Sequence, residues 1–368
     1  FDPTADSLHI GNLLAILLLR RFQLAGHTPI ALVGGGTGLI GDPSGRTEER
    51  SLNTTATVAA WTERIRQQVA PILDFEATSN PAKMVNNFDW LGAIKAIDFF
   101  RDVGKHFPIP YMLAKDSVAS RLAEGISYTE FSYMTLQAYD FLRLRQDHDC
   151  ELQVGGSDQW GNIIAGSDLI RRAISKKAFG LTSPLVTKAD GGKFGKTELG
   201  AVWLDGAKTT PYQFYQFWVN SDDESALSYL RFFTFLDRRE IGEIEEVTRT
   251  QPEKREGQRR LAFEVTQTVH GEDAARTSEK ISQALFYGNL QELEETEIEA
   301  GFNDVPSFAM VEDETNLVDL LVTAKVSSSK RQAREDIGNG AIYINGERCT
   351  ELDRTLRKTD GLHGKFLV

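Results

Sequence analysis

Two cysteines in 368 residues, Cys150 and Cys349, are too few and too far apart to form a disulfide scaffold, and their scarcity points to a reducing compartment, the cytoplasm. No group of cysteines and histidines has metal-ligand spacing, so neither structural zinc nor any other resident metal is expected. No run of 18 apolar residues is present, and no charged-then-apolar leader precedes the first helical pattern. A membrane span and a secretion signal are therefore not expected. Positive charge is also short, since 41 Lys and Arg face 53 Asp and Glu for a net charge of −12. That balance argues against a polyanion binder using its whole surface. What the chain does have is 41% hydrophobic and 26% charged residues, in a length that suits two or three globular domains.

Hydrophobic periodicity divides the chain. Residues 1–205 alternate helical patterns (Leu13 to Leu24, Thr57 to Leu73, Phe131 to Leu144) with short apolar strands (Pro29 to Val33, Glu151 to Val154). This alternation predicts an α/β fold with a mostly parallel sheet, whose ligand site lies beyond the carboxyl ends of the strands. Residues 206–300 are helical throughout, with Tyr215, Phe217, Trp218, Phe232, Phe233 and Phe235 as core anchors. A linker is read at 301–316 from Pro306, turn residues and an acidic run. Residues 317–368 form a third segment. Here Leu317 to Lys325 reads as an amphipathic helix, and Ser327 to Ser329 cap a second one running to Ile337. Ala341 to Ile344 is a strand, and Asn345-Gly346 a hairpin turn. Charge reverses in this segment: from Thr315 on, nine Lys or Arg exceed seven Asp or Glu, net +2, leaving −14 for the rest.

Three motifs carry chemistry. The first is Lys193-Phe194-Gly195-Lys196-Thr197, two lysines on a glycine-hinged loop, suited to neutralising charge that builds up on a polyphosphate. Taken alone, such a pair is an ordinary solvated turn. The second is the run from Asp2 to Asn12, leading directly into apolar residues. With Asp6 or Ser7 as N-cap, His9 falls in the first turn of a helix, where free amides and the helix dipole favour a phosphate. Gly11 then lets a nucleotide approach closely. The third, Gly36, Gly38 and Gly41, imitates a dinucleotide fingerprint. Asp42, Pro43, Ser44 and Gly45 follow and break a helix instead of opening one, so the glycines read as a turn facing a bound ligand, not as an NAD site.

A His-Ile-Gly-Asn helix start followed at long range by Lys-Phe-Gly-Lys-Thr resembles the paired signature of class I aminoacyl-tRNA synthetases. The runs Ala31 to Gly45, Tyr128 to Leu142 and Gln153 to Asn162 narrow the resemblance to the bacterial-type tyrosyl branch, and it extends over the whole chain. It implies a Rossmann-like catalytic domain (1–205), an all-helical anticodon-binding domain (206–300) and, after the linker, a small α+β S4-like RNA-binding domain (317–368). The implied reaction activates tyrosine with ATP and passes it to the terminal ribose of tRNA. The substrate carboxylate is itself the nucleophile, which agrees with the lack of any serine triad or carboxylate pair.

Carried over residue by residue, the resemblance gives Thr4, His9, Lys193 and Lys196 to the phosphates in the transition state. It adds Gly11, Asn12, Gly156, Asp158 and Thr197 to the ATP site. Arg46 and Arg50 are either further phosphate ligands or surface charges. The tyrosine pocket is expected from Asp2, Asp42, Tyr133, Gln137, Asp140 and Gln159. Within it Asp42, Tyr133 and Gln137 hold the ammonium, Gln159 orients the carboxylate and Asp140 accepts the phenol proton. Tyr133, Gln137 and Asp140 share one helix face by spacing. Lys330, Arg331 and Arg334 cluster on the second helix of the basic segment, either as a solvated face or as an RNA contact; the helix-helix-hairpin context favours RNA.

ATP enters as substrate, accompanied by Mg²⁺, with no tightly bound cofactor, and the resemblance implies a homodimer with tRNA spanning both subunits. It also implies a strand before Phe1 bearing a tyrosine that shares the substrate hydroxyl, and a further strand after Val368. Three other readings stand beside it, one being another nucleotidyl transferase that uses the same phosphate motifs but would not need the basic C-terminal segment. Tryptophanyl-tRNA synthetase shares the fold and chemistry but suits Asp140 poorly; a non-catalytic RNA-binding descendant would not need His9, Lys193 and Lys196.

Overall fold

Ile10, Leu13, Ile16 and Leu17 recur at helical spacing, are all fully buried, and define the inner face of the first helix, α1 (Ile10–Leu24). The computed structural model describes residues 1–44, 53–119, 122, 125–187, 194–197, 200–303 and 305–368, with 116, 117, 196, 197 and 287 described by their backbone alone. Two units emerge, Phe1–Thr209 and Thr210–Val368.

In the first unit α1 leads into β1 (Ile30–Val33), α2 (Thr55–Val69) and β2 (Lys83–Asn86), and β1 and β2 pair in parallel from Ile30↔Lys83 to Val33↔Asn86. Four short helices follow, α3 (Phe88–Leu91), α4 (Ala96–Asp102), α5 (Ile109–Leu113) and α6 (Asp116–Ala119), before the long α7 (Tyr128–Asp147). A second parallel pair, β3 (Leu152–Gly156) and β4 (Phe179–Ser183), is joined by α8 (Trp160–Ile174). Both pairs have the strand-helix-strand crossover that the alternation predicts. Helices α7 and α8 share a core of Met134, Ala138, Phe141, Leu142, Ala165, Leu169 and Ile170, with Val103, Phe107 and Met112 packed into it. The unit also contains a short hairpin, β5 (Lys196–Thr197) with β6 (Gly200–Ala201). After β1 the glycine run forms one 3₁₀ turn, Thr37–Leu39, and among the described residues up to Ser44 no long helix opens there.

The second unit begins with α9 (Pro211–Val219), α10 (Asp223–Phe233), α11 (Arg238–Thr250), α12 (Glu256–His270), α13 (Glu272–Tyr287) and α14 (Glu295–Gly301). Tyr215, Trp218 and Phe233 are buried as expected of core anchors, whereas Phe235 is exposed. Residues 310–313 carry no helix or strand, and β7 (Glu314–Asn316) takes up the last three positions of the stretch read as a linker. Helices α15 (Leu317–Thr323) and α16 (Lys330–Gly338) pack through Leu317, Leu321, Ala333 and Ile337. Ser329 caps α16, its Oγ accepting from Gln332 N at 3.2 Å. A hairpin of β8 (Ile342–Ile344) and β9 (Glu347–Cys349) turns at Asn345 and Gly346, both with positive φ, and β10 (Thr355–Arg357) pairs antiparallel with β7. Among the described residues, no helix is long and apolar enough to cross a membrane.

Candidate active site

The residues expected to meet phosphate gather at the mouth of α1. Its cap is His9, not Asp6 or Ser7 as the sequence suggests. The reason is tertiary: Leu8 to Ile10 are drawn into extended pairing with Val202 to Leu204, through Ile10 N to Val202 O at 3.0 Å and Leu204 N to Leu8 O at 2.9 Å. The helix cannot begin before residue 10. His9 Nδ1 accepts from Gly11 N at 3.0 Å, and Asn12 Oδ1 accepts from His9 N at 3.1 Å. With Nδ1 an acceptor, a neutral ring carries its proton on Nε2, where it can be donated to an anion. Asp6 instead pairs with Arg64 at 3.0 Å and Lys208 at 2.6 Å. Ser7 Oγ donates to Leu8 O at 2.7 Å.

Gly11 has a reason the sequence did not reveal. A Cβ there would lie 2.7 Å from His9 Cε1 and 2.9 Å from Nδ1, so only glycine leaves the capping imidazole in place. The two-lysine loop reaches the same point. Gly195, at φ +81°, sits so close that a Cβ would be 3.0 Å from Ile10 Cγ1, and its carbonyl accepts from Val202 N at 3.1 Å. Motifs more than 180 residues apart therefore meet at the start of α1. Lys196 and Thr197 follow in β5; Lys193, Arg46 and Arg50 lie outside the described residues. Thr4 is exposed, and its amide donates to Asp2 O at 2.9 Å.

The opposite side is built on α7. Asp140 is 1% exposed, and each of its oxygens accepts one hydrogen bond: Oδ2 from Asn87 Nδ2 at 2.9 Å, Oδ1 from Trp90 Nε1 at 2.7 Å. Burial pushes its pKa up to about 7, against those two hydrogen bonds and with the help of nearby Asp2. One turn and more earlier on the helix, Tyr133 donates its phenol proton to Asp2 Oδ2 at 2.7 Å, while Thr37 Oγ1 donates to Asp2 Oδ1 at 2.7 Å. Burial raises Asp2 as well, and it raises the Tyr133 phenol further still, with Asp2, Asp42 and Asp140 all repelling the phenolate. Asp2 thus holds the Tyr133 hydroxyl directly, and Asp42 and Asp140 are near enough to add to the negative field around it. Gln137 Nε2 donates to Gln153 Oε1 at 3.4 Å.

A third group stands at the carboxyl end of β3. Gln159 Nε2 donates to Asp42 Oδ2 at 2.6 Å and lies 3.4 Å from Asp158 Oδ2, and Asp42 Oδ1 accepts from Ser44 N at 2.9 Å. Gly156 ends β3, and Asp158 is exposed in the turn that leads into α8. The expected residues described therefore fall into three sets; Tyr133 and Asp140 are buried, Asp2 and His9 partly so, and Gly11 is exposed. Sequence reading missed Asn87, Trp90 and Thr37. The only available signal was position, because Asn87 directly follows β2 at the carboxyl edge of a parallel pair. Asn87 also bonds Thr37 Oγ1 at 2.9 Å and receives Gly36 N at 2.7 Å, so it ties the glycine turn to Asp140.

On α16, Lys330, Arg331 and Arg334 are all exposed, and Lys330 pairs with Asp319 of α15 at 2.6 Å. Among the described residues, no group of three or more His, Cys, Asp or Glu side chains is placed to hold a metal ion.

Comparison with known proteins supplies the family. Residues 1–287 match the family described as tRNA synthetases class I (W and Y), and residues 297–368 match the Tyrosine--tRNA ligase SYY-like C-terminal domain. Tyrosine--tRNA ligase 1 of Bacillus subtilis (strain 168) is 62% identical over 371 residues, covering 100% of this chain and 88% of its own length. The enzyme of the same name from Bacillus anthracis is 61% identical over 369 residues, again covering 100% of this chain and 88% of its own length. Among solved structures, a C-terminally truncated mitochondrial tyrosyl-tRNA synthetase of Aspergillus nidulans superposes with a TM-score of 0.71 at 30% identity, covering 78% of this chain and 84% of that one.

Proposed function

The chain belongs to the class I tRNA synthetases of the tryptophan and tyrosine group, and from that premise we infer that it is a tyrosine-tRNA ligase acting through the residues assembled above. In the first step the tyrosine carboxylate attacks the α-phosphorus of ATP and pyrophosphate leaves. In the second, the tyrosyl group passes to the terminal ribose of tRNA. Neither step needs a protein nucleophile, so positioning and charge stabilisation supply the rate.

The observation that carries the tyrosine assignment is Asp140. A carboxylate oxygen has two lone-pair sites, and each Asp140 oxygen receives one protein donor, which leaves room for a phenol O–H. A buried acceptor of this kind favours tyrosine over phenylalanine, because the missing hydroxyl would leave it under-satisfied. Asp2, Asp42, Tyr133 and Gln137 form the ammonium end, and Gln159 turns to the substrate carboxylate. At the other end Thr4 and His9 meet the γ-phosphate, with Asn12 and Gly11 at the nucleotide, and Gly156 and Asp158 at the ribose. Lys193, Lys196 and Thr197 take the pyrophosphate, Arg46 and Arg50 being either further phosphate ligands or surface charges, and Mg²⁺ arrives with the ATP.

Residues 206–300 would then hold the anticodon end of tRNA. Residues 317–368 act as an S4-like module with Lys330, Arg331 and Arg334 against the phosphate backbone, a reading supported by their exposure on one short helix. A homodimer is supported by apolar side chains left exposed on the first unit, Ile97 at 75% and Ile109 at 56% among them, with Phe100 and Tyr128. The two free thiols suit the cytoplasm. The test is ATP–pyrophosphate exchange with each amino acid in turn: tyrosine should drive it best, and tryptophan driving it best would overturn the assignment.

A further inference from the structure

His9 and Trp203 stand directly opposite each other in an isolated antiparallel bridge. The bonds flanking them belong to their neighbours, Ile10 with Val202 and Leu204 with Leu8, so 9 and 203 form a non-hydrogen-bonded pair. In that geometry facing side chains come closest. The two rings lie 6.3 Å apart between centroids at an interplanar angle of 60°. The Lys208 ammonium lies 5.0 Å from the indole centroid, and Asp6 holds that ammonium at 2.6 Å while also pairing with Arg64 of α2. Trp203 N donates to Thr209 Oγ1 at 3.0 Å, which ties its backbone to the same segment as Lys208. On the far side of the bridge, Gln68 of α2 accepts from Leu8 N at 2.8 Å and donates to Ser7 Oγ at 3.1 Å.

We propose that Trp203 is a positioning residue for His9, the wall that keeps its imidazole aimed at the phosphates, with Lys208, held by Asp6, packed against the indole. The proposal rests on the reading of His9 as a phosphate ligand. The His9 backbone is fixed on one side by Gln68 acting on Leu8 and on the other by Val202 and Leu204. With Nδ1 committed to Gly11, the ring is a group whose donor must point one way, and the bulk on its flank limits where it can swing. Trp203 also follows β6 by two residues, and β6 pairs with Lys196 and Thr197. The strand that returns from the two-lysine loop therefore also carries the wall beside His9, which sets the two phosphate-facing groups in one register.

The experiment compares the full chain with Trp203→Leu, Trp203→Phe and His9→Asn, alone and combined, by single-turnover tyrosyl-adenylate formation and by the NMR resonance of the His9 ring. Trp203→Leu should slow adenylate formation about tenfold, within the range by which small misplacements reduce rates, with KM for tyrosine changed less than about twofold. Trp203→Phe should recover most of the rate. In the His9→Asn background, Trp203→Leu should add little. A full tenfold loss in that background, a defect lying only in KM for tyrosine, or no defect at all would overturn the proposal. So would an unmoved His9 resonance in Trp203→Leu, or in Lys208→Met should the leucine variant not fold. If the unaltered chain fails to exchange pyrophosphate with tyrosine, the functional reading itself falls, and the resonance still decides whether Trp203 faces His9.

Discussion

Asp140 and His9, which the proposed function puts at the two ends of one site, are held in contrasting ways. Asp140 sits in the middle of a 20-residue helix, is 1% exposed, and is fixed by side chains from a separate segment, Asn87 and Trp90. His9 stands at a helix mouth, only partly buried, and is held mainly by backbone, the amide of Gly11 and the segment from Val202 to Leu204, with the Trp203 ring alongside. Recognition of a side chain calls for a rigid, desolvated acceptor, since discrimination comes from the cost of leaving it unmatched. Stabilising a leaving pyrophosphate calls for donors that are reachable and paired with a loop that moves.

If the contrast is real, substitutions at the two ends should fail in different ways. The largest effect belongs to Asp140→Ala. Selectivity for tyrosine over phenylalanine should collapse by on the order of 10²–10³ in kcat/KM; tyrosyl-tRNA synthetases are themselves the measured example behind a ratio of about 10⁵. Unchanged selectivity would refute the phenol acceptor. His9→Ala should instead lower kcat for adenylate formation by about 10²-fold with KM for tyrosine nearly constant, since the group acts on charge that develops late. A rise in KM for tyrosine would erase the distinction between the two ends.

Acidity sharpens the same comparison. The Asp140 pKa, raised by burial from its ordinary 3.8 to about 7, leaves the carboxyl partly protonated at neutral pH in the empty site. Tyrosine needs the charged acceptor, so KM for tyrosine should rise as pH falls below 7, approaching about tenfold per unit, while KM for ATP stays flat. Folding responds in the opposite sense. Between about pH 4 and 7 the native carboxyl holds a proton that the unfolded chain lacks, so the contribution of Asp140 to stability declines as pH rises through that window. Titrating KM in the Asp140→Asn variant should abolish the slope; if the slope survives there, another group carries it.

Much of this was legible because it is local. The helices α15 and α16, the cap at Ser329 and the Asn345-Gly346 turn are set by periodicity and by residues a few positions away. That Tyr133, Gln137 and Asp140 share one helix face follows from spacing, whereas their assignment to a tyrosine pocket came from the family resemblance. What escaped notice depends on distant partners. The α1 cap moved from Asp6 or Ser7 to His9 because a segment nearly 200 residues later, Val202 to Leu204, pulls Leu8 to Ile10 into extended pairing, and no local propensity encodes that. Asn87 and Trp90 were hidden for a similar reason: they belong to a four-residue helix and the position just before it, with no pattern to set them apart, and acquire meaning only where β2 delivers them to α7.

Gly11 offers the smallest perturbation, and it separates stability from chemistry. Alanine at this position would gain about 1 kcal/mol of helix propensity over glycine. Its Cβ, however, would crowd His9 Cε1 at 2.7 Å and Nδ1 at 2.9 Å, so the imidazole must swing away and give up its cap, a loss of about 1 kcal/mol. The two contributions oppose each other and Tm should shift by no more than a few degrees in either direction. The rate should not share that cancellation, because a displaced imidazole no longer faces the phosphates whatever the helix gains. Gly11→Ala is thus expected to fold normally, bind tyrosine normally at Asp140, and form adenylate several-fold more slowly. If rate and Tm both stay at their original values, the ring tolerates the methyl group and the capping bond at His9 is not what aims it.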